Sequence, residues 1–220
     1  MLEHNLNEGV HVNGRPGPVR TRSGGELSWA LAVARRILGQ DQCRWAHTLG
    51  VVRLVRESLT VVALEERTLA LAAAYTHDLG HARCLKVTGC HALDGAMYIR
   101  VAGYLELASV VAQHSGARRE AALRGLEEEM FAFPVVESRT LDLLTYSDLM
   151  TDQRGNRCSV DDRLEEIAVR YGNDHIVTKA VRLAEPELRR TVSQVESRLR
   201  NESSRRRVYR EGSDSHRSVA

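Results

Sequence analysis

The stretch "LALAAAYTHDLGHARC", residues 69–84, decides the fold. It is a run of small and apolar residues that ends in His77-Asp78-Leu79-Gly80-His81. A helix that is apolar all round belongs inside a protein, surrounded by other helices. Ionisable groups at the end of such a helix are costly to bury unless each finds a partner. The spacing His77-x-x-x-His81 invites comparison with the zinc-protease helix HExxH. That motif needs a Glu beside the first His and both His residues on one helical turn. Here the neighbour is Asp78, and Gly80 lies inside the turn. The helix is therefore expected to end near Gly80, with His81 at the mouth of a site rather than among its ligands.

Helical periodicity continues on both sides of this stretch. Helices are expected over residues 26–38, 42–59, 65–79, 91–103, 105–114 and 137–150. Ser159, followed by Asp161 and Asp162, opens another over 159–172, as a capping residue with an acidic first turn does. A last helix is expected from about Asp174 to Arg200, with Pro186 starting a fresh helix or a kink. No alternating strand pattern and no internal repeat is seen. The expectation is an all-α bundle forming a single domain over 26–200. A polar arm over 1–25, carrying "GRPGP" and "SGG", and a basic tail over 201–220 are expected to be flexible.

Composition narrows the class. Of the 220 residues 43% are hydrophobic and 27% charged, the balance of an ordinary globular protein. The net charge of +2 favours neither nucleic acid nor an anionic membrane surface. No apolar run is long enough to span a bilayer. The N-terminus lacks the apolar segment of a secretory leader. Cys43, Cys84, Cys90 and Cys158 are scattered without zinc-ribbon spacing, which fits free thiols in a reducing cytoplasm.

The helix faces point to a site. Residues three, four and seven apart share a face. Leu107, Val110 and Val111 share one with His114; Leu141, Leu144 and Thr145 with Asp148; Ala70, Ala73 and Ala74 with His77; and Gly50, Val51 and Leu54 with His47. A lone histidine on an apolar stripe is commonly a hydrogen-bonded core residue. Four helices that each place an ionisable residue on the core-facing stripe are better explained by a metal site, because bundle metal sites are built from side chains on facing helices.

These residues resemble the HD-domain superfamily of metal-dependent phosphohydrolases, defined by His … His-Asp … Asp. "RWAHTLGVV" supplies His47, "LALAAAYTHDLGHA" the doublet His77-Asp78, and "YSDLMT" Asp148. "TGCHALDGAMYIRVAGY", "VVAQHSGARREAALRG" and "YSDLMTDQRGNRCSVDDRLEEIAVRYG" look like a bacterial branch with HxxDGA and HSGAR motifs, and the resemblance runs from Cys43 to Arg200. This sequence departs from that branch at Ala92, where Pro is usual, and at His81, where Tyr or Lys is common.

The resemblance implies an HD-domain helical bundle of about seven to nine helices. It implies one or two divalent transition metal ions (Mn, Fe, Co, Ni or Zn), a choice that imidazole and carboxylate ligands do not settle. His47, His77, Asp78 and Asp148 would hold one, with His91 and His114 adding a second around a bridging Asp78. Asp78 and His77 would lie at the centre of the chemistry, hydrolysis of a phosphate ester of a small molecule, a nucleotide among the candidates, by a metal-bound hydroxide. Arg118, Arg83 and Lys86, each just past a ligand-bearing helix end, are the expected substrate cations. Asp94 is expected either to orient His91 or to favour the dipole of its helix. Two alternatives stand beside this: a dinuclear-iron oxygenase on the same scaffold, and a non-catalytic metal-binding regulatory module.

Overall fold

The computed structural model describes residues 25–217, with side chains through residue 205. The expected N-terminal arm lies almost wholly outside the described residues. Those residues hold nine α-helices of eight residues or more, a single-turn helix and no strand. They are α1 (Glu26–Leu38), α2 (Gln42–Glu57), α3 (Arg67–Thr76), α4 (His91–Val101), α5 (Leu105–Gln113), α6 (Ala117–Arg124), the short α7 (Glu127–Phe131), α8 (Arg139–Leu149), α9 (Val160–Tyr171) and α10 (Ile176–Arg217). The all-α bundle expected from the sequence is the fold found. No helix among the described residues is long and apolar enough to cross a membrane.

Helix α3 is the central strut. Ala70, Ala72, Ala73 and Ala74 are at most 1% exposed. With methyl groups on every side, α1, α2, α5 and α8 all pack directly against it. Asp41 and Ser138 cap α2 and α8 through their side chains, and Ser159 forms a capping box with Asp162 at the start of α9. The four cysteines are free thiols, and burial pushes the Cys90 thiol up to about 12.

Three features differ from the sequence reading. Helices α6 and α7 were not foreseen, because their buried residues (Ala117, Glu120, Ala121 and Met130) are few and leave no apolar stripe to see. Helix α10 runs unbroken through Pro186 and on through residues 201–217, the stretch expected to be a tail. Helix α3 ends at Thr76, and the chain passes through the doublet into a 3₁₀ turn at Leu79–His81.

Candidate metal centre

The 3₁₀ turn changes which residues face one another. On a continuing α-helix His81 would stand over His77. In 3₁₀ geometry residues three apart eclipse, so His81 stands over Asp78, with Nε2 3.5 Å from Oδ1. Gly80 makes this possible. A Cβ there would lie 2.0 Å from the carbonyl oxygen of His91, so only glycine lets the turn meet the start of α4. Gly95 packs against the same spot, its built Cβ 3.1 Å from the Gly80 nitrogen. This crossing stacks the rings of His81 and His91, centroids 4.2 Å apart.

A second close approach positions His47. A Cβ on Gly50 would meet the Gly155 carbonyl oxygen at 2.5 Å, and Gly155 itself has φ +79°. The loop after α8 can therefore lie flat on α2. Its Asp152 carbonyl accepts a hydrogen bond from His47 Nδ1 at 3.0 Å. His77 Nδ1 likewise donates to Ala74 O at 2.9 Å, and His114 Nδ1 to Val111 O at 2.6 Å.

These three bonds fix the tautomers. A carbonyl only accepts, so each Nδ1 carries the proton and a neutral ring presents a bare lone pair at Nε2. The Nε2 atoms of His47 and His77 nevertheless face each other at 3.4 Å, and those of His91 and His114 also at 3.4 Å. His47 Nε2 lies 3.0 Å from Asp148 Oδ1 and 3.9 Å from Asp78 Oδ2. His77 and His91 Nε2 lie 3.6 and 3.9 Å from Asp78 Oδ1. Lone pairs directed at carboxylate oxygens repel unless a cation lies between them. Ligands about 2.0–2.2 Å from one tetrahedral ion sit roughly 3.3–3.6 Å apart, close to these spacings. The residues present therefore fit a divalent ion. His47, His77 and Asp78 form one group able to hold it, and Asp78, His81 and His91 another.

All six ligand candidates from the sequence come together here. His81, which the sequence reading set aside, joins them. Asp148 is more engaged than expected, accepting from Ser115 Oγ at 2.5 Å and from Arg163 at 3.3 Å. Ser115 reaches it because it sits at φ 49°, in the left-handed region, with its N–H bonded to Thr145 Oγ1 at 3.2 Å. Arg44 binds the other carboxylate, Asp78 Oδ2, at 2.8 Å.

Burial would raise the pKa of Asp78, but the Arg44 guanidinium outweighs it and holds the carboxyl well below its usual range. Asp148 is likewise raised by burial and more strongly lowered by the Arg163 guanidinium beside it. Burial pushes His77 and His91 down, and His81 to about 3, with Asp78 only partly opposing. These three rings are neutral at neutral pH, as ligands must be.

The expected substrate cations do not line the cavity beside this cluster. Arg83 and Lys86 are exposed and lie outside the cavity beside the cluster. Arg118 lies on the far side of its helix. The left-handed residues Ser115 and Gly116 turn α6 so that Ala117 lines the cavity, while Arg118 faces a separate cleft of about 770 Å³. The cations that do line the cavity are Arg44, Arg163 and Arg170. Both ends of this set were visible in the sequence. Arg44 is three residues before His47, and Arg163, Ile167 and Arg170 share one face of α9. Asp94 does not touch His91. It accepts from the N–H and hydroxyl of Thr88 at 2.7 and 2.8 Å and from Gly89 N–H at 3.1 Å, closing the turn that starts α4.

The chain matches no protein-family model, no curated protein and no solved structure.

Proposed function

We propose that this protein is a metal-dependent phosphohydrolase of the HD-domain kind, acting on a phosphate ester of a small molecule. The observation that carries this reading is the acceptor-only cluster: histidine lone pairs and two carboxylates converge with their protons already committed elsewhere. A divalent ion bound by His47, His77, Asp78 and their neighbours would supply Lewis acidity and lower the pKa of a coordinated water toward neutrality.

The chain's own residues supply the rest. The backbone carbonyls of Asp152, Ala74 and Val111 hold three imidazoles in the ligating tautomer. Arg44 and Arg163 place guanidinium charge beside the carboxylates, where a phosphoryl group would carry its own negative charge. In the overall step water forms a new bond to phosphorus, the ester P–O bond breaks, and the leaving alkoxide takes a proton. The products are an alcohol and inorganic phosphate.

The test is phosphate release from a panel of phosphate esters by metal-loaded protein, with and without oxygen. Release that a chelator abolishes and oxygen does not affect is the expected result. A protein holding stoichiometric metal that releases no phosphate from any ester overturns the reading, and oxygen uptake by its iron form would replace it with oxidative chemistry.

A further inference from the structure

Asp148 is held between competing partners. Its Oδ1 faces His47 Nε2 at 3.0 Å and accepts from the Arg163 guanidinium at 3.3 Å. Its Oδ2 accepts from Ser115 Oγ at 2.5 Å. A guanidinium readily binds a carboxylate through both oxygens at once. An Arg163 that took both would draw the carboxylate away from His47. The Ser115 hydroxyl occupies the second oxygen, so the arginine is left with one.

Placing that hydroxyl is unfavourable for the backbone. Ser115 has φ 49° and ψ 36°, and among the described residues it is the one non-glycine with positive φ. Glycine adopts this conformation freely, whereas a residue with a Cβ is strained in it. Gly116 follows at φ +79°, and a Cβ there would lie 2.7 Å from Ala184 Cβ on α10. Two successive left-handed residues pressed against α10 turn Ser115 toward α8. Its N–H donates to Thr145 Oγ1 at 3.2 Å, and its hydroxyl donates to Asp148. Thr145 and Asp148 lie three residues apart on α8, hence on one face. Ser115 therefore grips α8 at two points. A glycine would keep the N–H bond without strain; the bond to Asp148 is what requires a side chain. Strain that persists beside a cluster of candidate ligands points to a role there.

We infer that Ser115 is a positioning residue for the metal site: its hydroxyl occupies Asp148 Oδ2, keeps Arg163 from taking both carboxylate oxygens, and leaves Oδ1 available to an ion shared with His47. This rests on the metal-binding part of the phosphohydrolase reading. Ser115 acts through Asp148 and touches neither the ion nor the reacting atoms.

The experiment titrates metal-stripped wild type, Ser115→Gly and Ser115→Ala with Co(II), read by calorimetry and by the visible absorption of the bound ion. The two variants lack the same hydroxyl, but glycine relieves the backbone strain that alanine retains. Both are expected to bind about 10–100-fold more weakly than wild type, the loss usual for removing an outer partner of a metal ligand. Both are also expected to show an altered absorption spectrum at saturation, a sign of changed ligand geometry that a loss of stability alone would not produce. Wild-type affinity and spectrum in Ser115→Gly overturn the inference and leave the metal site standing, because the hydroxyl is then dispensable. A wild-type protein that binds no ion overturns the metal site and the inference together.

Discussion

The two halves of the polar cluster are built to different standards. His47 and His77 are 2% and 0% exposed, and each is tied by Nδ1 to a backbone carbonyl. One carbonyl belongs to the alanine-packed central helix, the other to a loop that two glycines press onto α2. The His81 and His91 side chains are 22% and 23% exposed, held mainly by stacking on each other. A ligand already fixed in its binding geometry loses little freedom when the ion arrives; one held by stacking loses more. The comparison teaches that the half around His47 and His77 is the better preorganised of the two groups able to hold a metal ion, so it is expected to be the tight site and the half around His81 and His91 the exchangeable one. Asp78 belongs to both.

The largest expected effect comes from removing what the halves share. Arg44→Met leaves the buried Asp78 carboxylate without its nearest cation and should cost the metal-free protein about 3–5 kcal/mol in urea unfolding. An added divalent ion should restore part of that loss. Next, His77→Ala should weaken the tight site by about 100-fold or more, at or beyond the loss typical of removing an outer partner of a metal ligand. Metal titration by calorimetry would show it, and an equal loss from His81→Ala would break the distinction drawn here. Gly80→Ala forces a methyl group into the His91 carbonyl and should cost about 1–3 kcal/mol. It should abolish binding at the His81–His91 half while the other half still binds, a split visible as loss of one phase in the same titration. His81→Ala itself is expected to weaken only the exchangeable half, by about tenfold.

The comparison also predicts a pH dependence. The pKa of His81 is about 3 in the folded protein, against 6.5 for the free side chain. Below pH 6.5 the unfolded chain takes up a proton that the folded chain refuses. The stability contribution of this group is therefore complete above pH 6.5 and is lost as pH falls toward 3, by at most about 1.4 kcal/mol per pH unit. His77 and His91 are shifted in the same direction. Asp78 and Asp148, held well below 3.8, add losses only at lower pH. Urea unfolding of metal-free protein at pH 7.5 and 5 should show the decline, and His81→Ala should make it shallower.

Much of this arrangement was legible in the sequence because burial leaves a periodic signature. The helix Glu26–Leu38 and the inward placement of His47, His77, His114 and Asp148 follow from apolar stripes, whereas Asp78 and His91 entered through the family resemblance. The position of His81 over Asp78 was not foreseen because the stripe argument assumes one helical period, and the chain changes from α to 3₁₀ geometry at the doublet. The cause of that change, Gly80 against the His91 carbonyl, is a contact eleven residues distant in sequence and leaves no local sign. Arg163 did leave a sign, one charge on the inward face of α9 beside Ile167. It escaped notice because ligands were sought only among histidines and carboxylates. For Arg118 the signal runs the other way: proximity in sequence to His114 says nothing about direction when two left-handed residues follow.

The most direct test of the central claim is a titration of metal-stripped wild-type protein with Mn(II) or Zn(II), followed by calorimetry at pH 7.5. The acceptor-only cluster predicts saturable binding of at least one ion per chain, and a tight first phase that His77→Ala removes. A wild-type protein that binds no ion, or one whose tight binding survives His77→Ala unchanged, would contradict it.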